Sequence, residues 1–491
     1  MKWLAVAFVT IVNFAAFIQA ATAEARHTHS VFYPGLENQP VLQLKISGSA
    51  GEKITAVKIN TGETSSGCKI KVARLSSSGN RNMFTTHTQN PVQQKAEKKN
   101  VHGTVRFDTE IELGNKPLYL WVSYDLPPTV KRNSKVDALC TEIIMADGSV
   151  IKPELKMAQG LEERVVGRVY PFPHRIVPYY RPRWVKGWGK SKTAVHLTPE
   201  HFNLFTDLIH FAYSISDKGE ITYQWAGGGD SKKTVDEALA EIKRLHKEAG
   251  SRARLIAGFG FIDKQITAII AKPAVRRKLA RNMAKWVIDR GYQGIDLDWE
   301  YPENANQWNQ FALFLAELRE ELAGSGVSIS IAASVNYRIP TVQVTDQIDF
   351  IVTMSYGSQA AQHASMERYQ KEANICVNKL KMPKVKVVLG LPFYSNEQGK
   401  LTDQYGYSQI YSWYPNLKPD VNTFRAKKKD GSDGAMHSFN GRKLISDKCR
   451  WAKDNGFGGV MIWAYETDLP LSHHASLGRA MYKVLRQPKK K

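Results

Sequence analysis

Cysteine is scarce in this 491-residue chain: Cys68 and Cys140 in the first half, Cys376 and Cys449 in the second. A chain of this length can close a large core without covalent staples. In an exported protein four thiols permit two disulfides. Pairing within each half is the simplest arrangement, with buried free thiols as the alternative. Glycine and proline, 35 and 21, are too few for a low-complexity protein. Beyond the N-terminus no apolar run approaches the ~20 residues of a membrane span. No nucleic-acid-binding motif is present. Acid is also in deficit, 46 Asp and Glu against 68 Lys and Arg, leaving a net charge of +22. That balance raises association with any polyanion, acidic cell-surface polymers included. The basic residues are scattered and run on into the tail Arg486-Gln-Pro-Lys-Lys-Lys491. A basic exported protein is the better reading than a nucleic-acid binder.

What is present is globular, 43% hydrophobic and 10% aromatic, with room for two or three domains. Residues 1–23 read as a secretory leader. Lys2 opens it, Trp3 to Ile18 is almost wholly apolar, and Ala21-Thr-Ala23 offers small residues for cleavage. A secreted or periplasmic protein with no transmembrane helix in its mature form is expected. From 24 to 155 period-2 runs recur between turn residues: Val41–Ile46, Lys53–Ile59, Cys68–Arg74, Val105–Ile111, Leu118–Tyr124 and Ala138–Ile144. They predict an antiparallel β-sandwich. Residues 156–174, with Gly160, Gly167, Pro171 and Pro173 among charges, suit a linker.

From 175 to 486 strand and helix alternate. The strands are Arg175–Tyr180, Leu208–Ile215, Ala253–Phe261, the stretch from Gly294, Val327–Ala333, Ile348–Tyr356, Lys386–Tyr394 and Gly458–Trp463. Eight short, mostly buried strands with intervening helices predict a closed (β/α)8 TIM barrel. An open doubly wound sheet is the alternative, but no glycine-rich phosphate-binding turn follows the first strand. The last five residues form a basic tail.

The barrel is organised around Gly294-Ile-Asp-Leu-Asp-Trp-Glu-Tyr-Pro302. On a strand, Asp296, Asp298 and Glu300 share one face while Ile295, Leu297 and Trp299 take the other. Carboxylates ~7 Å apart, from two residues of strand rise, must share protons or shift their pKa values. An acidic edge strand would not need apolar residues interleaved so strictly. A calcium or magnesium site would need oxygen ligands from a second segment, and no second acidic cluster is present. Acid/base chemistry remains, with no cofactor and no metal. Strand ends add Tyr180, Tyr213, Phe261, Met354, Tyr356, Tyr394 and Trp463, an aromatic ring about the acids suited to stacking on sugar faces.

This stretch resembles the D-x-x-D-x-D-x-E signature of family 18 glycoside hydrolases, the chitinase family, and the resemblance extends to Met354-Ser-Tyr356, Gly390–Tyr394 and Gly458–Trp463. Glu37–Leu42, Leu118–Pro128 and Asp137–Cys140 resemble the β-sandwich found at the N-terminus of some bacterial sialidases. The barrel resemblance implies retaining hydrolysis of chitin or another N-acetylglucosamine-containing glycan, assisted by the substrate's own acetamide. It makes Glu300 the general acid, its pKa raised beside Trp299 and Asp298. Asp298 becomes the acetamide's partner, Asp296 a proton-sharing neighbour of Asp298, Tyr356 the holder of the acetamido oxygen, and Trp463 the floor. Four positions depart from the family pattern. Gln293 stands for the signature's first Asp, and Phe259-Gly-Phe261 for Gly-Gly-Trp. Ala257 replaces a serine that supports the acids, and Gly357 an Asp or Asn after the sixth-strand tyrosine. The interval 395–457 is short for an α+β insertion, which predicts a shallow, open groove. Two alternatives keep the barrel: an endo-β-N-acetylglucosaminidase acting on N-glycans, and a non-catalytic chitin-binding lectin. A metal-dependent hydrolase would lose activity to a chelator.

Overall fold

The computed structural model describes residues 20–182, 195–225, 228–229, 231–401 and 405–486. Most of the leader and the basic tail lie outside these. Barrel strands follow the expected order. They are β1 (Arg175–Tyr180), β2 (Asp207–Ile215), β3 (Arg254–Phe261), β4 (Gly294–Trp299), β5 (Ser328–Ala333), β6 (Phe350–Thr353), β7 (Val387–Pro392) and β8 (Gly459–Trp463). Each pairs in parallel with its sequence neighbours, and β8 pairs with β1, so the sheet closes on itself.

Helices cover the outside because their apolar residues recur at helical spacing. On α1 (Lys232–Glu248) the buried face is Val235, Ala238, Leu239, Ile242 and Leu245. On α2 (Pro273–Asp289) it is Leu279, Ala280, Met283, Ala284 and Val287, and proline opens the helix where no amide donor is needed. Asn304 caps α3 (Ala305–Glu321) by accepting from the Gln307 amide at 3.0 Å. Two more helices matter below: α4 (Met366–Asn378) and α5 (Arg442–Asp454). Inside the barrel a separate apolar cluster, including Val177, Ile209, Ile256, Val352 and Val388, fills the space beneath the acids.

The interval 395–457 is not bare. Strands Tyr394–Glu397, Tyr405–Gly406, Thr423–Lys427 and Asp433–Ser438 form an antiparallel sheet, accompanied by the helix Tyr407–Trp413. This corrects the expectation of a groove without an α+β insertion. Short strands, one of only two residues, fit one into few residues, and it supplies Asn396 and Leu401 to the site wall.

Before the barrel, a six-stranded and a four-stranded sheet enclose one hydrophobic core that includes Leu42, Leu44, Val57, Leu75, Phe107 and Val122. Four strands of these sheets escape the sequence pattern, two of them, Val150–Ile151 and Glu154–Leu155, only two residues long. Gln93–Val101 is an exposed, lysine-rich edge with little to alternate. Thr22–His27 takes in the last two residues read as leader and buries Ala23. The stretch read as a linker is built into the structure: Gly167–Val169 pairs with Val31–Phe32 and Lys135–Val136, and Tyr170 is buried.

All four cysteines are unpaired, against the expected disulfides. Cys68 lies in the core of the sheets, while Cys376 on α4 and Cys449 on α5 fill the barrel's outer core as small apolar groups. Burial raises the thiol pKa of Cys68 to about 11, and Cys140 is pushed up to about 12. Among the described residues no helix is long and apolar enough to cross a membrane.

The region before the barrel sits on the N-terminal ends of the barrel strands. Arg175, fully buried, donates to Asp207 at 3.0 Å and to the Tyr33 hydroxyl at 2.8 Å. Its guanidinium lies 3.6 Å from the centre of the Tyr170 ring and 4.1 Å from that of Phe350. Tyr33 in turn donates to the Asp349 carbonyl, and Arg319 bridges Asp349 and the Thr28 carbonyl.

Candidate active site

Alternation along β4 divides its side chains cleanly. Ile295, Leu297 and Trp299 join the outer core beneath the helices. Trp299 donates to Asp263 at 2.8 Å and packs edge-on against Phe311, away from Glu300 rather than beside it. Asp296 and Asp298 point inward. In register, Asp296 lies between Gly258 of β3 and Ser330 of β5, and Asp298 between Gly260 and Ala332. Small neighbours leave these carboxyls space that larger side chains would fill.

Asp296 is fully buried and accepts hydrogen bonds from Ser330 and from Tyr179. Burial raises its pKa to about 6, against the lowering pull of those two donors. Asp298 is pushed well above the usual carboxylate range, first by burial and then by the charges of Glu300 and Asp296. Its Oδ1 has no hydrogen-bond partner among the described residues. Glu300 follows the end of the strand and opens to solvent at the cavity mouth. The surrounding protein raises its pKa, opposed by a hydrogen bond with Tyr301. The Glu300–Tyr301 and Trp463–Ala464 peptide bonds are cis.

Asp298 and Glu300 face a cavity of about 250 Å³ whose other walls include Tyr179, Tyr301, Met354, Tyr356, Tyr394 and Trp463. The Trp463 ring is held by edge contacts with Tyr179 and Phe211, at 5.5 and 5.4 Å between centroids. Tyr356 meets Tyr394 at 5.9 Å, and its hydroxyl reaches the Met461 sulfur at 3.9 Å. A Cβ on Gly390 would sit 2.0 Å from the Thr353 carbonyl oxygen and 2.9 Å from the Tyr356 ring, so glycine there makes room for that ring. Gly357 turns the chain away at φ +71°, a conformation that an Asp or Asn would adopt less readily.

Six of the ten expected site residues line this cavity: Asp298, Glu300, Met354, Tyr356, Tyr394 and Trp463. Asp296 lies directly beneath. Tyr180, Tyr213 and Phe261 do not reach it; all three belong to the outer core. Tyr180 and Phe261 have outward parity on their strands, and Tyr180 donates to the Val195 carbonyl at 2.6 Å. Tyr213 has inward parity, but the register slips between Phe211 and Tyr213, turning it out to pack edge-on against Trp286 and bond Tyr292. Inward positions belong instead to Tyr179 and Phe211, which a parity count from Asp296 through the paired strands identifies. Ala257 also faces outward, so the inward residue there is Gly258. Gln293 sits at the other end of β4, where its Oε1 accepts from the Leu255 amide at 3.2 Å, remote from the carboxyls it was expected to influence. Among the described residues no group of three His, Cys, Asp or Glu is placed to hold a metal ion.

Residues 175–468 match the family described as glycosyl hydrolases family 18. Among similar proteins, Chitinase 1 of Aphanocladium album is 28% identical over 294 residues, 49% of this chain and 69% of that protein. Probable chitinase 2 of Drosophila melanogaster is 21% identical over 379 residues, 63% of this chain and 76% of its own length. Of solved structures, a chitinase from Bacteroides thetaiotaomicron aligns with a TM-score of 0.51 at 18% identity, covering 65% of this chain and 99% of that one. The Ostrinia furnacalis Group II chitinase catalytic domain 2 gives 0.52 at 17%, covering 65% and 98%. At such identities the structural likeness speaks for the barrel. The sequence match spans more than half of the chain, from the first residue of β1 past the end of β8, and places the acids within it: this chain belongs to family 18 of the glycosyl hydrolases.

Proposed function

We propose that the chain is an exported, retaining hydrolase of β-1,4-linked N-acetylglucosamine in chitin or its oligomers, using the substrate's acetamide as nucleophile. Glu300 gives its proton to the glycosidic oxygen as that bond to the anomeric carbon breaks. The acetamido oxygen attacks the same carbon, forming an oxazolinium-like ring. Water then opens the ring while Glu300 takes back a proton. Asp298 accepts from the acetamido N–H and offsets the ring's positive charge. Asp296, held by Ser330 and Tyr179, shares a proton with Asp298 and so sets its charge state. Tyr356 holds the acetamido oxygen, and Trp463 lies under the reacting sugar. The observation that carries this reading is the Asp298 oxygen, buried without a partner, beside Glu300 in a cavity walled by Tyr356 and Trp463. A substrate N–H would complete its hydrogen bonding.

The finer organisation belongs to the same proposal: a leader through residue 23, a β-sandwich of sialidase-associated type over 24–155, a connecting stretch to 174, the catalytic barrel over 175–486 and a basic tail. Product analysis on chito-oligosaccharides tests the chemistry. The expected result is cleavage with retained anomeric configuration, and no cleavage of the matching glucosamine oligomers that lack the acetyl group. Equal rates on both would sink the assisted mechanism. Cleavage of a high-mannose glycoprotein in preference to chitin oligomers would move the substrate to N-glycans.

A further inference from the structure

Behind the cavity wall, Lys448 of α5 is fully buried yet has no carboxylate bonded to it among the described residues. Its ammonium donates to the Ala364 carbonyl and to Asn440 Oδ1, both at 2.7 Å, and lies 5.1 Å from the Tyr369 ring centre. The nearby Glu372 carboxylate is engaged by Arg368 at 2.7 Å. Burial lowers its pKa to about 7, and a lysine on neutral acceptors costs desolvation energy that an apolar residue would not.

Its two acceptors belong to different parts of the site. Ala364 ends the loop 357–364, which leaves directly after Tyr356. Asn440 follows the last strand of the insertion, Asp433–Ser438. The same seam is closed by Gln362 to the Phe439 carbonyl (3.0 Å), the His363 amide to Ser438 (3.1 Å), Asn440 to the Ala364 carbonyl (3.0 Å) and Gln398 to the Ala361 carbonyl (2.9 Å). Toward the cavity, His363 Nδ1 accepts from the Gly357 amide at 3.3 Å, and its ring packs on Tyr394 at 5.3 Å. Tyr394 in turn packs on Tyr356. Burial, with the charges of Lys448 and Arg368, lowers the His363 pKa to about 3, so the ring is neutral and Nδ1 stays an acceptor.

We propose that Lys448 is a positioning residue for the reaction: by clasping Ala364 and Asn440 it locks loop 357–364 onto the insertion and fixes Tyr356 and Tyr394 against the cavity. This rests on the reading in which Tyr356 holds the acetamido oxygen. The insertion then serves as a brace for a catalytic loop as well as a wall.

The test is steady-state kinetics on a chito-oligosaccharide, well below the melting temperature. Lys448→Met, of similar length, is expected to lower kcat ~10-fold with KM within ~2-fold, because a misplaced nucleophile holder weakens the transition state more than binding. Tyr33→Phe, at the opposite end of the barrel, controls for lost stability and should leave kcat unchanged. If Lys448→Met fails to fold, Asn440→Ala opens the same clasp from the other side and should lower kcat likewise. A folded variant with the kcat of the unaltered protein overturns the proposal. So does an equal fall in Tyr33→Phe, which would trace the loss to stability. No turnover by the unaltered protein would sink the reading of function, and this proposal with it.

Discussion

At the N-terminal ends of the barrel strands Asp207 and Asp349 are as deeply buried as Asp296 is toward the other end. Asp207 receives Arg175, Tyr170 and Thr206, at 3.0, 2.7 and 2.9 Å. Asp349 receives Arg319 at 3.1 Å and the Ile329 amide at 2.8 Å. The donors named there belong to the protein, although Asp349 Oδ1, like Asp298 Oδ1, has no hydrogen-bond partner among the described residues; several ring faces close over the Arg175 guanidinium, and Tyr33 from the preceding region plugs the space. Toward the C-terminal ends, Asp296, Asp298 and Glu300 have no basic partner among the described residues, and their pKa values move up. The residue type is the same at both ends. What differs is whether the fold supplies the compensating charge or leaves that to a substrate.

Two substitutions test this division, one at each end. Glu300→Gln keeps shape and removes the transferable proton, so kcat on chito-oligosaccharides should fall by ~10³-fold or more. Its thermal midpoint should stay level or rise, since the lost charge was a strained one. A fall in melting temperature with activity retained would reverse the assignment of ends. Arg175→Met should do the opposite: it removes the cation hydrogen-bonded to Asp207 and leaves Arg254 at 3.9 Å, at a cost of about 3–5 kcal/mol in unfolding free energy. The folded fraction should keep its kcat. Denaturant unfolding beside initial rates at 25 °C checks both, and a large kcat loss with unchanged stability would mean that the two ends are coupled.

The same contrast explains what could be read in advance. The three acids announced themselves because carboxylates alternating with Ile, Leu and Trp have no structural reason on a buried strand. Met354, Tyr356, Tyr394 and Trp463 were legible as strand-end residues beside them. Tyr179 was hidden behind Tyr180, since which of two adjacent tyrosines faces inward depends on register between strands. Tyr213 was misread because a bulge shifts parity after Phe211, and nothing in Leu208–Ile215 marks it. The insertion escaped notice because two of its strands are too short to show alternation. The floor network was invisible for a different reason: Tyr33 and Arg175 are far apart in sequence, and only the docking of the earlier region brings them together.

The smallest effect expected is on stability against pH, and it concerns the acids of the cavity end. Asp296 titrates near pH 6 in the folded chain, against ~3.9 when unfolded. Between those values the folded state therefore holds the extra proton, and stability falls as pH rises, by about 3 kcal/mol across the window, with no further change from this group above it. Asp298 and Glu300 are raised as well and extend the decline upward. Asp468, raised to about 6, adds a fall of the same sign from another part of the barrel, so a difference between variants is needed. Unfolding free energies at intervals from pH 4 to pH 7 should fall less steeply in Asp296→Asn than in the unaltered chain, by up to one proton's worth of slope. If the two curves run parallel, Asp296 is already ionised at low pH, its Ser330 and Tyr179 donors outweigh burial, and the acids of the cavity end are compensated by the fold after all.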